Sequence, residues 1–362
     1  MKIAILGTRG IPNRHGGFEQ FAEYLSVHLA KHAHQVYVYC PHNHPYQANS
    51  FKGVSIIRKY DPENKIGTIG QFIYDFNCIL DSRKREFDII LQLGYTSSSI
   101  WYRLLPKTSK IVTNMDGLEW KRSKYSYFVR LFLKFAEKLA IKSSDFLISD
   151  SIGIKDYIYL KYNSHSLYIP YGATVFSNPN PKTLSKYNLK AYNYNMLIAR
   201  LEPENSIEII LRGVKKASLS IPLLVIGNHK TKYGSYLKEK FKNQSNIIFL
   251  GSIYNIEILN NLRYFSNIYF HGHTVGGTNP SLLEAMASES LICANDNIFN
   301  KAILEKDAIY FKNDDDISRI IKSFNKIKHK DFLINNLFKV RSIYDWHDIN
   351  KQYEEFLLET IK

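Results

Sequence analysis

The chain is poor in cysteine. Its three, Cys40, Cys78 and Cys293, lie far apart, and neither a Cys-x-x-Cys pair nor a Cys/His zinc spacing occurs. That excludes a disulfide scaffold or a zinc ribbon as the organising element and fits a reducing cytoplasm. No run of ~18 apolar residues is present, so no membrane-spanning helix is expected. The apolar start ends at Leu6 and meets Gly7, Arg9 and Arg14, which argues against an export signal. No short-period repeat or low-complexity tract is visible. Acidic residues are also the minority, 33 Asp+Glu against 48 Lys+Arg, for a formal charge of +15. A basic surface favours anionic partners such as nucleotide phosphates, nucleic acid or lipid headgroups, although solvated lysines account for such a balance equally well.

What is present is a repeating strand–helix pattern long enough, at 362 residues, for two domains. "KIAILG" (2–7) is a buried-strand pattern stopped by glycine. "GGFEQFAEYLSVHLAKHAH" then places Phe18, Phe21, Leu25 and Leu29 at helical spacing, and "QVYVYC" (35–40) is the next strand. Strand, glycine turn, helix, strand is a βαβ unit, so a parallel sheet is expected. Strands continue at 54–60, 87–94, 109–117 and 144–151. The stretch 166–189 holds three prolines and has no clear period, and reads as a linker. A second α/β series follows, with strands at 194–201, 222–228, 246–252, 267–273, 290–295 and 308–311. The tail 346–361 is an amphipathic helix with Trp346 as a packing anchor. The expected organisation is an α/β fold of two facing Rossmann-like domains, 1–170 and 193–344. A linker at 171–192 joins them, and 345–362 forms a terminal helix. Ligands in such sheets bind at the carboxyl ends of the strands, so the cleft between the two domains is the expected site.

Three stretches carry candidate chemistry. In "HGHTVGGTNPSLLEAM" (271–286) a strand runs into a glycine turn, and Pro280 takes the first helical position, where a missing N–H costs nothing. Asn279 fits the N-cap. The mouth of that helix is an anion site, and glycine lets a phosphate approach the backbone. Glu284, about one turn further in, can accept from ribose hydroxyls; the competing reading is a surface carboxylate on a routine turn. "GTRGIPNRHGGFEQ" (7–20) is a second glycine turn before a helix, but Pro12 spoils a GxGxxG reading, so a dinucleotide site is disfavoured. Arg200 ends the first strand of the second series and is a candidate phosphate ligand, against a surface ion pair with Glu202 or Glu204.

Taken together and in this order, "GTRGIPNRHGGFEQFAEYLSVHLA", "DGLEWKRSKYS", "IPYGA", "IARLEPENSIE" and "HTVGGTNPSLLEAMA" resemble bacterial retaining glycosyltransferases of the family-4 type with the GT-B fold. The branch they look closest to holds rhamnosyltransferases of capsule, O-antigen and cell-wall polysaccharide synthesis. The resemblance implies that Gly16 and Gly17 lie against the donor diphosphate and that Arg200 holds it. It implies that the turn of Gly277, Thr278, Asn279 and Ser281 wraps the phosphates, and that Glu284 binds the ribose. Three family positions differ: the first glutamate falls on Gly276, the lysine after the arginine is Asn205, and the usual histidine aligns near Met115. Asp116 and Glu119 are read as substitutes that contact sugar or acceptor, with Asp116 and Arg200 as the catalytic pair. Asp116 also fits a plain "DG" turn. His273, or His271 beside it, is read as restoring positive or donor character at the phosphate. Arg14 and His15 are read on the acceptor side.

The implied reaction moves a sugar, best matched by L-rhamnose from dTDP-rhamnose, to a lipid-linked saccharide with retained configuration. Breaking the anomeric bond develops negative charge on the leaving phosphate, which Arg200 and the helix mouths would stabilise. No DxD-type carboxylate pair is found, so neither a metal nor a cofactor is expected beyond the nucleotide sugar itself; "NDDD" (313–316) reads as a cap on the following helix. The helix 126–142, preceded by "EWKRSKYS", fits peripheral contact with the inner face of the cytoplasmic membrane, against a packed helix with a solvated basic face. No nucleic-acid partner is expected. Alternatives are a UDP- or GDP-hexose donor, a sugar-nucleotide epimerase, and lastly a non-catalytic binder of polyanions or anionic lipid. Truncating Arg200 or Glu284 is expected to remove activity and leave the fold intact.

Overall fold

The computed structural model describes residues 1–14, 16–122 and 125–362. They form two compact units. The first is Met1–Trp120, Tyr125–Tyr171 and Trp346–Lys362; the second is Lys121–Lys124 and Gly172–Asp345.

The first unit holds β1 (Lys2–Leu6), β2 (Gln35–Pro41), β3 (Ser50–Phe51), β4 (Val54–Lys59), β5 (Ile89–Leu93), β6 (Lys110–Asn114), β7 (Phe146–Ser149) and β8 (Leu167–Tyr168). They form one sheet in the order β3-β4-β2-β1-β5-β6-β7-β8, parallel except for the β3–β4 edge. Ile3, Ala4 and Ile5 of β1 are fully buried. That is why the strand reads as an unbroken apolar run, since a parallel sheet is covered on both faces. The order reverses between β1 and β5, where Ile3 pairs with Ile89 and Leu6 with Gln92.

The second unit repeats the plan with β9 (Asn195–Ile198), β10 (Leu223–Ile226), β11 (Ile247–Gly251), β12 (Tyr269–His271), β13 (Ile292–Asn295) and β14 (Ile309–Phe311). Its order is β11-β10-β9-β12-β13-β14, all parallel. The reversal falls between β9 and β12. In doubly wound sheets this switch point opens a crevice at the carboxyl ends of the two strands.

The helix Trp346–Thr360 belongs to the first unit, and crossing back to it is what the family resemblance implies. Ile349, Tyr353 and Leu357, spaced by four, are buried. Trp346 stacks on Tyr24 with centroids 4.6 Å apart, and Tyr353 meets Phe21 at 4.8 Å, both on the helix Gly17–Lys31. The Tyr353 hydroxyl also accepts from Asn114 Nδ2 at the end of β6, 3.0 Å away.

Two expectations change. The stretch read as a linker is folded onto the second unit from Gly172 onward. Phe176 N donates to Ala287 O (3.0 Å), Asn180 N to Asn261 Oδ1 (2.6 Å), and Lys182–Ser185 is helical. Its order comes from irregular hydrogen bonds, several to remote residues, so no period shows. The helix Tyr127–Ser143 is not merely packed with a basic rim. One face buries Leu133, Ala136 and Ala140 around the Glu137 carboxylate, which accepts from Trp120 Nε1 (3.1 Å), Tyr157 (2.7 Å) and Tyr162 (2.6 Å). The other face leaves Tyr127, Phe128, Leu131 and Phe135 exposed, Phe128 by 80%, among the exposed Lys134, Lys138 and Lys142. At "NDDD" the capping reading holds: Asn313 accepts from Asp316 N, and Asp316 returns to the Asn313 backbone.

Candidate active site

In the second unit the loops leaving β9 and β12 are tied together at the switch point. The turn after β9 is closed by Asn205, whose Nδ2 donates to Arg200 O at 2.8 Å. This buried amide stands where the family pattern has a lysine, and its work is to fold the Arg200 turn. The chain after β12 passes directly over it: a Cβ at Gly272 would lie 2.1 Å from Asn205 O, so only glycine fits. Thr274 then donates from both N and Oγ1 to Glu204 O (3.2 and 2.7 Å). The carbonyl of His273 accepts from Asn297 Nδ2 (2.9 Å) and Asn300 Nδ2 (3.1 Å). Arg200 is exposed at the edge of this clamp. The alternative partner Glu204 is engaged instead by Arg122 at 3.6 Å.

Side chains alternate along a strand, so Tyr269, His271 and His273 form a row of rings. Tyr269 and His271 lie 6.5 Å apart, and His271 and His273 stack at 4.4 Å. Among the described residues neither ring nitrogen of His271, nor Nδ1 of His273, has a hydrogen-bond partner. Burial, the neighbouring His273 and Arg263 push the pKa of His271 well below the usual range. Burial and the charges on Arg200 and Arg122 bring His273 to about 3. Both imidazoles are therefore neutral near pH 7. The expectation that they restore positive charge fails; what they offer is hydrogen-bonding nitrogen in a site already charged by arginine.

The turn after β12 enters the helix Pro280–Ala287 as the sequence predicts. Asn279 caps it, accepting from Ser281 N at 3.0 Å. Gly276 has φ +139°, a conformation unfavourable to a side chain, and a Cβ there would meet open space. Gly276, where the resemblance puts a glutamate, thus has a backbone that disfavours any side chain. Gly277 is half-buried and Thr278 is buried. Ser281 Oγ lies 2.7 Å from the Tyr269 hydroxyl, linking the turn to the ring row.

Glu284 is not a surface carboxylate. Its Oε2 accepts from Nη2 of Arg263 at 2.5 Å, and the Arg263 side chain is 1% exposed. Arg263, on the helix Ile256–Phe265, also reaches Asn260 Oδ1 (2.8 Å) and Ser281 Oγ (3.4 Å). Sequence reasoning missed it; its only signal is an arginine on an otherwise apolar stripe in "EILNNLRYF".

In the first unit, Gly16 is the N-cap of the helix Gly17–Lys31 and makes no side-chain cap. The loop before it is held by Glu19, which accepts from Arg9 N at 2.8 Å. Arg14 is exposed, and His15 lies outside the described residues. Asp116 follows β6 at φ +49°, a left-handed position that Asp tolerates better than most residues. Its N–H donates to Asn114 Oδ1 at 3.0 Å. The turn reading is met by that geometry, and the carboxylate is half-buried. Glu119 sits three residues on, in a single 3₁₀ turn. Asp116 and Arg200, read as a catalytic pair, belong to different units. A second group missed in the sequence is Asp75, buried on the helix Gly70–Ser82 and accepting from Ser97 Oγ at 2.5 Å beyond β5. Burial is the main cause that pushes its pKa up to about 7.

Comparison with known proteins fits this geometry. A family model described as "Domain of unknown function (DUF1972)" matches residues 1–174. No curated protein matches the chain by sequence. Solved structures do match. Sucrose-phosphate synthase from Thermosynechococcus elongatus superposes with TM-score 0.79 at 16% identity, covering 99% of this chain and 98% of that one. Anabaena HepE in complex with UDP and glucose gives 0.74 at 13% identity, with 99% and 100% covered. An α,α-trehalose 6-phosphate synthase from Burkholderia multivorans gives 0.73 at 11%, with 99% and 98% covered. The fold is therefore GT-B, two Rossmann-like domains of the kind these enzymes share.

The expectation that truncating Glu284 leaves the fold untouched changes: Glu284→Ala leaves Arg263 buried without its carboxylate, so the variant is expected to lose about 3–5 kcal/mol of stability in chemical denaturation. Glu284→Gln, which keeps an acceptor, loses less. Equal stability of the Ala variant and wild type refutes the pairing. Asp75 gives a pH test. Its folded pKa is raised, so its stabilising contribution is complete below the unfolded value near 4 and is lost as pH rises through about 7. Asp75→Asn removes that loss. Its stability relative to wild type should improve by about 3 kcal/mol between pH 5 and pH 8, and parallel pH curves would show that Asp75 is an ordinary carboxylate.

Proposed function

We propose that the chain is a glycosyltransferase that takes a sugar from a nucleoside diphosphate donor held at the β9/β12 switch point. One observation carries this reading: an exposed guanidinium, two neutral imidazoles, a glycine turn and an ion-paired glutamate converge at the strand ends where this fold binds nucleotides. Anabaena HepE, of the same fold, forms a complex with UDP and glucose, which supports a nucleotide-sugar donor. Arg200 binds the diphosphate and the turn Gly277–Asn279 offers it backbone. Glu284, fixed on Arg263, accepts from the ribose. His273 donates to phosphate or sugar oxygen as a neutral ring.

In the reaction the acceptor hydroxyl oxygen bonds to the anomeric carbon while the bond from that carbon to the β-phosphate oxygen breaks. The hydroxyl proton passes to the leaving phosphate. Negative charge grows on the diphosphate, and Arg200 stabilises it with no metal. Attack from the face the phosphate leaves retains configuration, as the family resemblance implies. Asp116 and Glu119 are assigned to sugar or acceptor contact, with Arg14 and His15 on the acceptor side. The resemblance favours dTDP-L-rhamnose as donor and a lipid-linked saccharide of surface polysaccharide synthesis as acceptor.

Titration calorimetry with dTDP, UDP and GDP, followed by transfer assays with the matching sugars and a lipid-diphosphate acceptor, tests the proposal. One nucleotide should bind preferentially, and Arg200→Ala should lower turnover by roughly 10²–10³-fold. Absence of affinity for all three nucleotides, or full activity in the variant, would overturn it. Conversion of free nucleotide sugar without acceptor would favour the epimerase.

The exposed aromatic and lysine face of the helix Tyr127–Ser143 supports peripheral seating on an anionic membrane. The protein should sediment with vesicles of phosphatidylglycerol and phosphatidylcholine and be released by salt. Phe128→Ser with Phe135→Ser should weaken partitioning by about tenfold or more. If wild type ignores these vesicles at low salt, the membrane assignment is wrong.

A further inference from the structure

At the far end of the Gly17–Lys31 helix, away from every residue assigned above, four side chains meet. His28 Nε2 lies 2.7 Å and His32 Nδ1 2.6 Å from Oε2 of Glu354 on the crossing helix, and His34 Nε2 lies 3.1 Å from Oε1. His28 and His32 are four residues apart on one helical face, with ring centroids 4.2 Å apart. One ligating atom each from His28, His32 and Glu354 falls within a 4.8 Å set. His28 and Glu354 are largely buried, with side chains 10% and 15% exposed, while His32 at 47% opens the cluster to solvent.

We propose that His28, His32 and Glu354 bind a divalent transition-metal ion of the zinc class, with His34 held on the other carboxylate oxygen of Glu354. The chemistry suits that ion. Imidazole nitrogen with one carboxylate is a borderline donor set that zinc accepts in tetrahedral geometry, whereas calcium and magnesium want oxygen. Donors around zinc stand about 3.3 Å apart, from bonds near 2.0 Å. The contacts of 2.6–3.1 Å therefore need to open by less than about 1 Å. Position favours a cation as well: His28 and His32 lie at the carboxyl end of their helix, where the dipole is negative. His34 is pinned on its other side, its Nδ1 facing the Met1 amine at 3.3 Å, and His347 is the remaining ring nearby, 6.2 Å from His28.

Such an ion clasps the crossing helix to the first unit. Its ligands come from 322 residues apart in sequence, so it reinforces a seam that ring packing and the histidine–Glu354 contacts already hold. Unlike the donor site, it takes no part in sugar transfer.

Chelator-stripped full-length protein, titrated with Zn²⁺, should bind one ion with a dissociation constant of about 1 µM or below. The ion should raise the melting temperature, and Co²⁺ in its place should give the visible absorption of a tetrahedral site. His32→Ala, the exposed ligand and the one least able to disturb folding, should lose at least about tenfold in affinity, and so should Glu354→Gln. His329→Ala, in the second unit, should bind as wild type does. No heat with Zn²⁺ and an unchanged melting temperature would overturn the proposal. So would a His32→Ala variant that binds like wild type. Nucleotide binding, read separately, is unaffected by either result.

Discussion

Arg263 is the constraint around which the second unit is arranged. A guanidinium at 1% exposure cannot stay unpaired, because an isolated buried charge costs several kcal/mol. Glu284 answers it, and Ser281 and Asn260 take further N–H groups. The consequence reaches the proposed chemistry. A carboxylate held by a buried guanidinium has a fixed position, so in the proposed reading it can present an oxygen to a ribose without first giving up the conformational freedom of a surface side chain. The same pair fixes the helix Pro280–Ala287 against the helix Ile256–Phe265, and with it the angle at which the glycine turn leaves β12.

Charge in the site is set by burial rather than by composition. The surface total of +15 says little about the switch point, where the two histidines are neutral because they are desolvated and sit beside arginines. Arg200 is then the principal exposed cation in the geometry described. In the proposed reading, a phosphate arriving there exchanges water for one guanidinium and for backbone N–H, with the imidazoles as uncharged donors or acceptors. Asn205 stands where the resemblance puts a lysine. Asn205 spends its amide on the Arg200 turn instead, and Gly272 lets the β12 chain close over it.

Much of this is legible in the sequence. Strands covered on both faces read as continuous apolar runs, and Pro280 after Asn279 marks a helix start that the structure confirms to the residue. What escapes are interactions whose partners are remote. Arg263 looks like any helical arginine until its carboxylate, 21 residues away, is folded onto it. Asp75 gives no sign of its burial, because the helix that carries it alternates polar and apolar residues in an ordinary way. The segment after Gly172 reads as a linker because its order comes from irregular backbone hydrogen bonds, which leave no period to read. Glu284 falls where the motif puts it, yet its importance to the fold is invisible, since sequence cannot distinguish a solvated carboxylate from one opposing a buried guanidinium.

The crossing helix shows how a remote contact can become a functional one. Tyr353 receives a hydrogen bond from Asn114, whose Oδ1 in turn accepts from Asp116 N. Asp116 holds a left-handed backbone at +49°, a conformation that costs of order 1 kcal/mol and persists where surrounding contacts dictate it. The chain Tyr353–Asn114–Asp116 supplies that dictation from the last helix of the protein. Glu354, the next residue, faces the three histidines. Two adjacent positions on one helix thus turn in different directions, one toward a strand end that carries a candidate catalytic carboxylate and the other toward a cation-friendly cluster at the rim. Displacing this helix would release the Asp116 turn even with every residue of the first sheet intact. The return of this helix to the first unit is therefore part of how the Asp116 turn is built and not only of how the fold is closed.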